Sequence, residues 1–263
     1  MRSVNRWMET LLVIACGITV SAAAVFAQPG QEKTFASPQH AANALYVAVQ
    51  TGNEARLAEI LGGDKQLVST DNNLSDQQER ETFVKKYQEM HRLMRRTDGA
   101  MILFVGAENW PFPLPLVEKK GRWFFDANAG SKEILYRRVG ANEITAIETC
   151  HALVEQAKPG ESPNMSEFHS DDQALLQYAH ELSSGGTEEH PFGGYYFHKL
   201  NESGNEGAAY VAYPADYRSS GVMTFVVTND NKVYEKDLGA KTDSEAKGLK
   251  NWKADKTWQP AEE

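Results

Sequence analysis

The chain has 263 residues, with 27 Lys and Arg against 36 Asp and Glu, a net charge of −9. That acidity makes nucleic acid and anionic lipid poor partners, and its plainer role is to keep a surface soluble. Of the two cysteines, Cys16 lies in the first apolar run. Cys150 therefore stands alone once that run is removed, and no disulfide can form within the remaining chain.

Arg2 and Arg6 precede an uncharged stretch, residues 11–27, which ends in Val25-Phe26-Ala27 before the polar Gln28-Pro29-Gly30. This is the layout of a secretory signal peptide, residues 1–27, cleaved after Ala27, and it places the mature chain in the periplasm or outside the cell. Two other readings are weighed against it. One is a retained anchor, for which the stretch is barely long enough and rich in alanine. The other is lipidation at Cys16, where Val13-Ile14-Ala15-Cys16 faintly resembles a lipoprotein processing box, with too few apolar residues before it and too many after. No later stretch of sequence is apolar enough to cross a membrane, so none spans it after processing. The remaining 236 residues, at a net charge of −10, suit one large or two small domains.

The first domain is expected over 35–128. Ser37 caps a helix with Pro38 in its first turn and Gly52 at its stop, and Ala41, Ala42, Leu45 and Val49 form its apolar stripe. Asn53 caps a second helix with Leu57, Ile60 and Leu61 inward. A third, highly charged helix spans 74–97 from Ser75, with Phe83, Tyr87, Met90 and Met94 inward. Strands follow at 100–107, 113–120 and 122–128, with Lys120-Gly121 turning between the last two. This order of elements is similar to the cystatin and nuclear-transport-factor α+β folds, in which a curved sheet wraps a long helix.

The texture changes near residue 130, and a second domain is expected over 129–258. Residues 129–157 read as one long helix or as two joined at Gly140, and the spacing of Ile144, Ile147, Cys150 and Val154 makes the second part amphipathic. Cys150 aligns there with Ala146, Ile147 and Val154, as a buried small apolar group. Residues 158–172 are loop, and Ser170 then caps a further helix with Gln173 at the capping-box position. After Gly185-Gly186 come strands at 193–201, 208–214, 222–228 and 232–238. Asn229-Asp230-Asn231 can take the left-handed conformations of a short hairpin. In that hairpin Met223, Phe225 and Val227 alternate toward one face, which suits a sheet buried on one side, and Asp237 reads as a turn-forming acid. A modest helix from about Asp243 and an aromatic tail close an α+β chain.

Taken together, "KGRWFFDANAG", "EILYRRVGANEITAIE", "GGYYFHKL", "VAYPADYRSSGVMTFVVTNDNKVYEKDLG" and the closing Trp258 resemble a bacterial secreted family known as domain of unknown function 2950 (DUF2950). The resemblance runs from Phe35 to Trp258, its longest motifs lie at 121–148 and 211–239, and the linker before "GYYF" is shortened here. It implies export and membership, and no mechanism. A weaker similarity joins "ANEITAIETCHALVEQAK", "GGYYFHKL" and "YPADYRSSGVMTFVVTNDNKVYEKDLG" to the heads of type IV pilins and pseudopilins. It implies a helix lying on an antiparallel sheet. Filament assembly does not follow, because a pilin begins with its assembly helix and this chain does not.

No Gly-x-Ser-x-Gly elbow, His-Glu-x-x-His pair, phosphate-cradling loop or dinucleotide glycine pattern is present, and no cofactor is implied. His151 follows Cys150, but neighbours on a helix point about 100° apart, which does not make a nucleophile and base. His151 with Glu155, His169 with Asp171 and Asp172, His180-Glu181, and Glu188-Glu189-His190 are candidate zinc ligands. Each pairing also reads as a solvated helix face or a helix N-terminus that favours carboxylates. Trp110, Phe112, Trp123 and Phe125 are the candidate binding residues. They either line a pocket between sheet and long helix or fill the core. Two functions follow: a non-catalytic exported binding or envelope-associated interaction module, whose partner is an envelope protein or a small apolar ligand, or a metal-assisted hydrolase built on the His, Asp and Glu residues of 151–190.

Overall fold

In the computed structural model, Ser37 is extended and its hydroxyl accepts the His40 N–H at 3.2 Å, which starts helix α1 (Pro38–Gln50) with Pro38 at its head. Residues 33–62, 73–156, 170–184, 190–200 and 208–261 are described. The signal segment 1–27 with Cys16, the loop up to His169, Gly185-Gly186 and Glu188-Glu189 lie outside the described residues, as do the side chains of Ser75, Ser170, Asp171 and Asp172. Helix α1 buries Ala41, Ala42, Leu45 and Ala48, and Val49 lies at the flank of that stripe. Gly52 takes a φ of +62°, and Asn53 then accepts the Arg56 N–H at 3.0 Å to cap α2 (Glu54–Ile60).

Helix α3 (Asn73–Glu89) is shorter than its charge pattern predicts, and residues 91–95 are a strand instead, β1 (His91–Arg95). The Gly106 N–H sits 3.0 Å from the Lys86 carbonyl and 2.9 Å from that of Met90, closing the helix end. Beyond it β1 pairs antiparallel with β2 (Met101–Val105) from His91↔Val105 to Arg95↔Met101. Phe83 and Tyr87 face the core as expected, whereas Met94 does not: it is 45% exposed.

The first sheet is completed by β3 (Trp110–Pro111), β4 (Leu116–Lys119) and β5 (Arg122–Phe125), in the order β1-β2-β4-β5 with β3 beside β2. Lys120 (φ +53°) and Gly121 (φ +74°) form the two-residue turn between β4 and β5, the left-handed pair such a hairpin requires. Alternation turns Met101, Leu103, Val105, Leu116, Trp123 and Phe125 to a core shared with α1, α2 and α3.

Helix α4 (Ala127–Gln156) runs unbroken through Gly140, and the chain divides into two compact units between Arg137 and Arg138, within this helix. In the first unit Gly130 lies against Leu114 and Ile134 against the core. In the second, Ala146, Cys150, Leu153 and Val154 are buried. Ile144, expected on that face, is 51% exposed, because it stands two residues, about 200°, from Ala146.

The second unit adds α5 (Ser170–Ser183) and a sheet of β6 (Tyr195–Lys199), β7 (Ala208–Pro214), β8 (Thr224–Thr228), β9 (Val233–Lys236) and β10 (Gln259–Pro260), antiparallel in the order β10-β9-β8-β7-β6. Phe225 and Val227 face a core with α4 and α5, as their alternation predicts. The sheet is not open on its other side, however. Val211 and Val226 meet Leu200 and Trp252 there, beyond α6 (Thr242–Gly248), so all of β8 is buried. The tail aromatics Trp252 and Trp258 supply that cover, at 5.6 Å and perpendicular. Six helices and two antiparallel sheets make the described residues an α+β fold, and none of these helices is long and apolar enough to cross a membrane.

Candidate functional site

Among the four aromatics singled out in the first unit, three form a chain of edge-on contacts. Trp110 meets Phe112 at 6.4 Å and Phe112 meets Phe125 at 5.8 Å, with Phe83 of α3 also 5.9 Å from Phe112. The Arg137 guanidinium lies 5.3 Å over the Trp110 ring and donates to the Pro111 carbonyl at 2.8 Å. Trp123 stands apart from this chain. Its backbone pairs with Phe35 and its ring lies 5.8 Å from the Arg95 guanidinium. Phe125 and Trp123 belong to the buried core, and Trp110 and Phe112 pack against it partly exposed. A surface cleft of about 510 Å3 opens elsewhere in this unit, between α1 and α3, lined by Val49, Gln50, Arg80, Glu81, Val84 and Gln88 among others.

The outward face of the same sheet combines apolar and basic groups. Alternation places Arg92 and Met94 of β1, Ile102 and Phe104 of β2, Val117 and Lys119 of β4, and Arg122 and Phe124 of β5 on it. The Arg92 guanidinium lies 5.5 Å over the Phe104 ring, and Lys119 is paired opposite Arg122. Arg122 donates to the Thr34 carbonyl at 3.1 Å. None of these eight positions is acidic.

In the second unit the polar side chains converge on the loop between β7 and β8. One oxygen of the Glu143 carboxylate accepts the N–H groups of Val222 at 2.9 Å and Met223 at 3.0 Å. Asn142, its neighbour on α4, donates to the Ser220 carbonyl at 2.7 Å, and the buried Tyr195 hydroxyl donates to the Met223 carbonyl at 2.9 Å. Burial first, and the Glu143 charge second, push that phenol's pKa far up, so it serves as a permanent donor. The glycines of this region are dictated by close approach. A Cβ on Gly221 would overlap the Tyr195 hydroxyl and ring, and one on Gly193 (φ +54°) would overlap Thr145 of α4. Asp237, at the end of β9, accepts from the Gly239 N–H at 2.7 Å, as a turn acid does, and also from the Tyr217 hydroxyl at 3.0 Å. The arrangement pins a loop, and a carboxylate oxygen holding two amide protons is a cap in the sense of a helix N-terminus.

The reactive residue types are engaged in the same manner. Cys150 is fully buried, and burial alone pushes its thiol well up, away from the thiolate a nucleophile needs. A ring nitrogen of His151 lies 2.8 Å from the Asn231 side-chain oxygen, one of His198 lies 3.0 Å from the Leu249 carbonyl, and His91 stacks on Tyr87 at 3.9 Å. His180 and His190 are exposed. Among the described residues no three His, Cys, Asp or Glu side chains converge as a metal-ligand set. Sequence reasoning passed over Asn142, Glu143 and Tyr195. The adjacent Asn-Glu on the helix and the Gly-Gly and Ser-Gly pairs facing it were the available signal, but their meeting depends on contacts some 80 residues apart.

A family model described as protein of unknown function (DUF2950) matches residues 32–190 and 184–261. No curated protein and no solved structure matches the chain, so the likenesses to pilin heads and to cystatin or nuclear-transport-factor folds have no solved counterpart here.

Proposed function

The chain belongs to this family of unknown function, and we propose that it is an exported, non-catalytic binding module working in the cell envelope or outside the cell. Export rests on the charged, apolar and small-residue layout of residues 1–27. The observation that carries the non-catalytic reading is Glu143: this partly buried carboxylate holds two backbone N–H groups of the β7–β8 loop and so serves the fold. A general acid or base at work keeps its oxygen directed at a substrate proton.

The two roles predict opposite outcomes for Glu143→Ala. A carboxylate that caps a loop leaves two part-buried amides without their acceptor when removed, a loss of about 2–3 kcal/mol read as a lower urea midpoint. Catalytic groups are commonly neutral or costly to stability, so their removal leaves the midpoint unchanged or raises it. An unchanged or raised midpoint for Glu143→Ala would sink this reading.

A further inference from the structure

We propose that the outward face of the first sheet is a docking surface for a protein segment that carries acidic residues around an apolar centre. This deepens the binding-module reading and rests on it. A sheet packed on one face by helices ordinarily turns polar side chains to water on the other. Here the outward positions instead hold Met94, Ile102, Phe104, Val117 and Phe124, all partly or well exposed. A contiguous apolar patch on a chain this charged marks an interaction site.

Charge identifies the occupant. Arg92 on β1 and the Lys119–Arg122 pair on β4 and β5 flank the apolar centre from the two sides of the sheet, with no acid among the outward strand positions, on a chain whose net charge is −9. The Arg92 guanidinium sits over the Phe104 ring and Arg122 is steadied by the Thr34 carbonyl, so both guanidinium groups are held before anything binds. A second copy of this chain does not fit, because stacking the face on itself sets cation against cation. An extended anionic surface, lipid or nucleic acid, meets the repulsion of the whole acidic molecule. A short acidic segment feels mainly the charges within about 8 Å.

The test uses the full mature chain and two labelled synthetic peptides, one alternating glutamate with leucine and phenylalanine, the other carrying lysine in place of glutamate. The glutamate peptide should bind saturably by fluorescence anisotropy, with amide shift changes confined to β1, β2, β4 and β5. Its affinity should fall about tenfold for R92E, and again for K119E as an independent variant, when circular dichroism shows each folded. It should weaken as salt shortens the screening length from about 10 Å to about 3 Å. Equal binding of the lysine peptide, indifference to both charge reversals, or tighter binding to phosphatidylglycerol vesicles overturns the proposal, as does failure of the glutamate peptide to bind. Shift changes mapping to the α1–α3 cleft also overturn this surface while leaving the binding-module reading intact. That reading fails separately, on the stability of Glu143→Ala.

Discussion

Gly221 is the residue where the smallest change has the clearest consequence. Its missing side chain leaves the space taken by the Tyr195 ring, whose hydroxyl is tied to Met223 beside the two amides that Glu143 holds. Gly221→Ala therefore forces the ring or the loop to move and costs about 1–3 kcal/mol, the scale of overpacking in a tight core. Differential unfolding in urea measures it, and Tyr195→Phe in the same chain should recover part of the loss by vacating the hydroxyl's space, a non-additive pair. A Gly221→Ala chain as stable as the parent would show that the contact is not tight. At this scale the sequence was readable wherever the answer is local. Helical spacing alone placed Cys150 in the interior, and Asp237 behaves as the turn acid its position before Leu238-Gly239 suggests. The bond from Tyr217 to Asp237 was not readable, since nothing local encodes an approach between residues twenty positions apart.

Among the elements, β1 is the one whose identity a local pattern assigns wrongly. Phe83, Tyr87, Met90 and Met94 fall at helical intervals, but Leu93 between Arg92 and Met94 reads equally as an alternating strand, and pairing with β2 decides between them. The two assignments exchange the interior residue. As a strand residue, Leu93 packs against the first core and Met94 points outward. Leu93→Ala should then cost about 2 kcal/mol, toward the low end for a partly buried leucine, while Met94→Thr stays within about 0.5 kcal/mol of the parent. The reverse ranking in urea midpoints would restore the helix. The same limit governs the rest of the fold. Caps at Ser37 and Asn53, the Lys120-Gly121 turn and the strands β2, β4, β5, β6, β7, β8 and β9 carry signals within a few residues, and they form where expected. The two-residue strands β3 and β10 and the cover that Trp252 and Trp258 lay over the second sheet depend on partners elsewhere in the chain. So does the candidate site: the aromatics were visible as a group, yet only the structure separates Trp123 under Arg95 from the Trp110–Phe112–Phe125 chain.

For the molecule as a whole, the balance between surface acids and buried neutral groups sets the pH range of stability. Hydrogen bonding to Lys86 holds the Glu108 carboxyl below its ordinary range, and hydrogen bonds from Lys232 and then Thr228 do the same for Asp230. Such groups stabilise the fold above the ordinary carboxylate values and lose that contribution as pH falls through the lowered ones. Both side chains are exposed to solvent, which screens these bonds, so the acid side should fall off gently. The alkaline side behaves differently. Burial raises the Cys150 thiol from an ordinary 9.0 and the Tyr195 phenol from an ordinary 10.0. Their contribution is complete below those values and is lost as pH rises above them, because the unfolded chain ionises there while the folded chain stays protonated. Stability should therefore hold level between about pH 5 and pH 9. Above that it should decline by about 1.4 kcal/mol per pH unit for the thiol, with the phenol adding its own decline about one unit later. Cys150→Ala lowers the plateau through lost packing but should flatten the curve between about pH 9 and pH 10, where the thiol alone drives it. Urea midpoints collected across that interval for parent and variant decide the matter. Parallel slopes for the two chains would mean that Cys150 ionises as readily folded as unfolded, and that the interior of the second unit admits water.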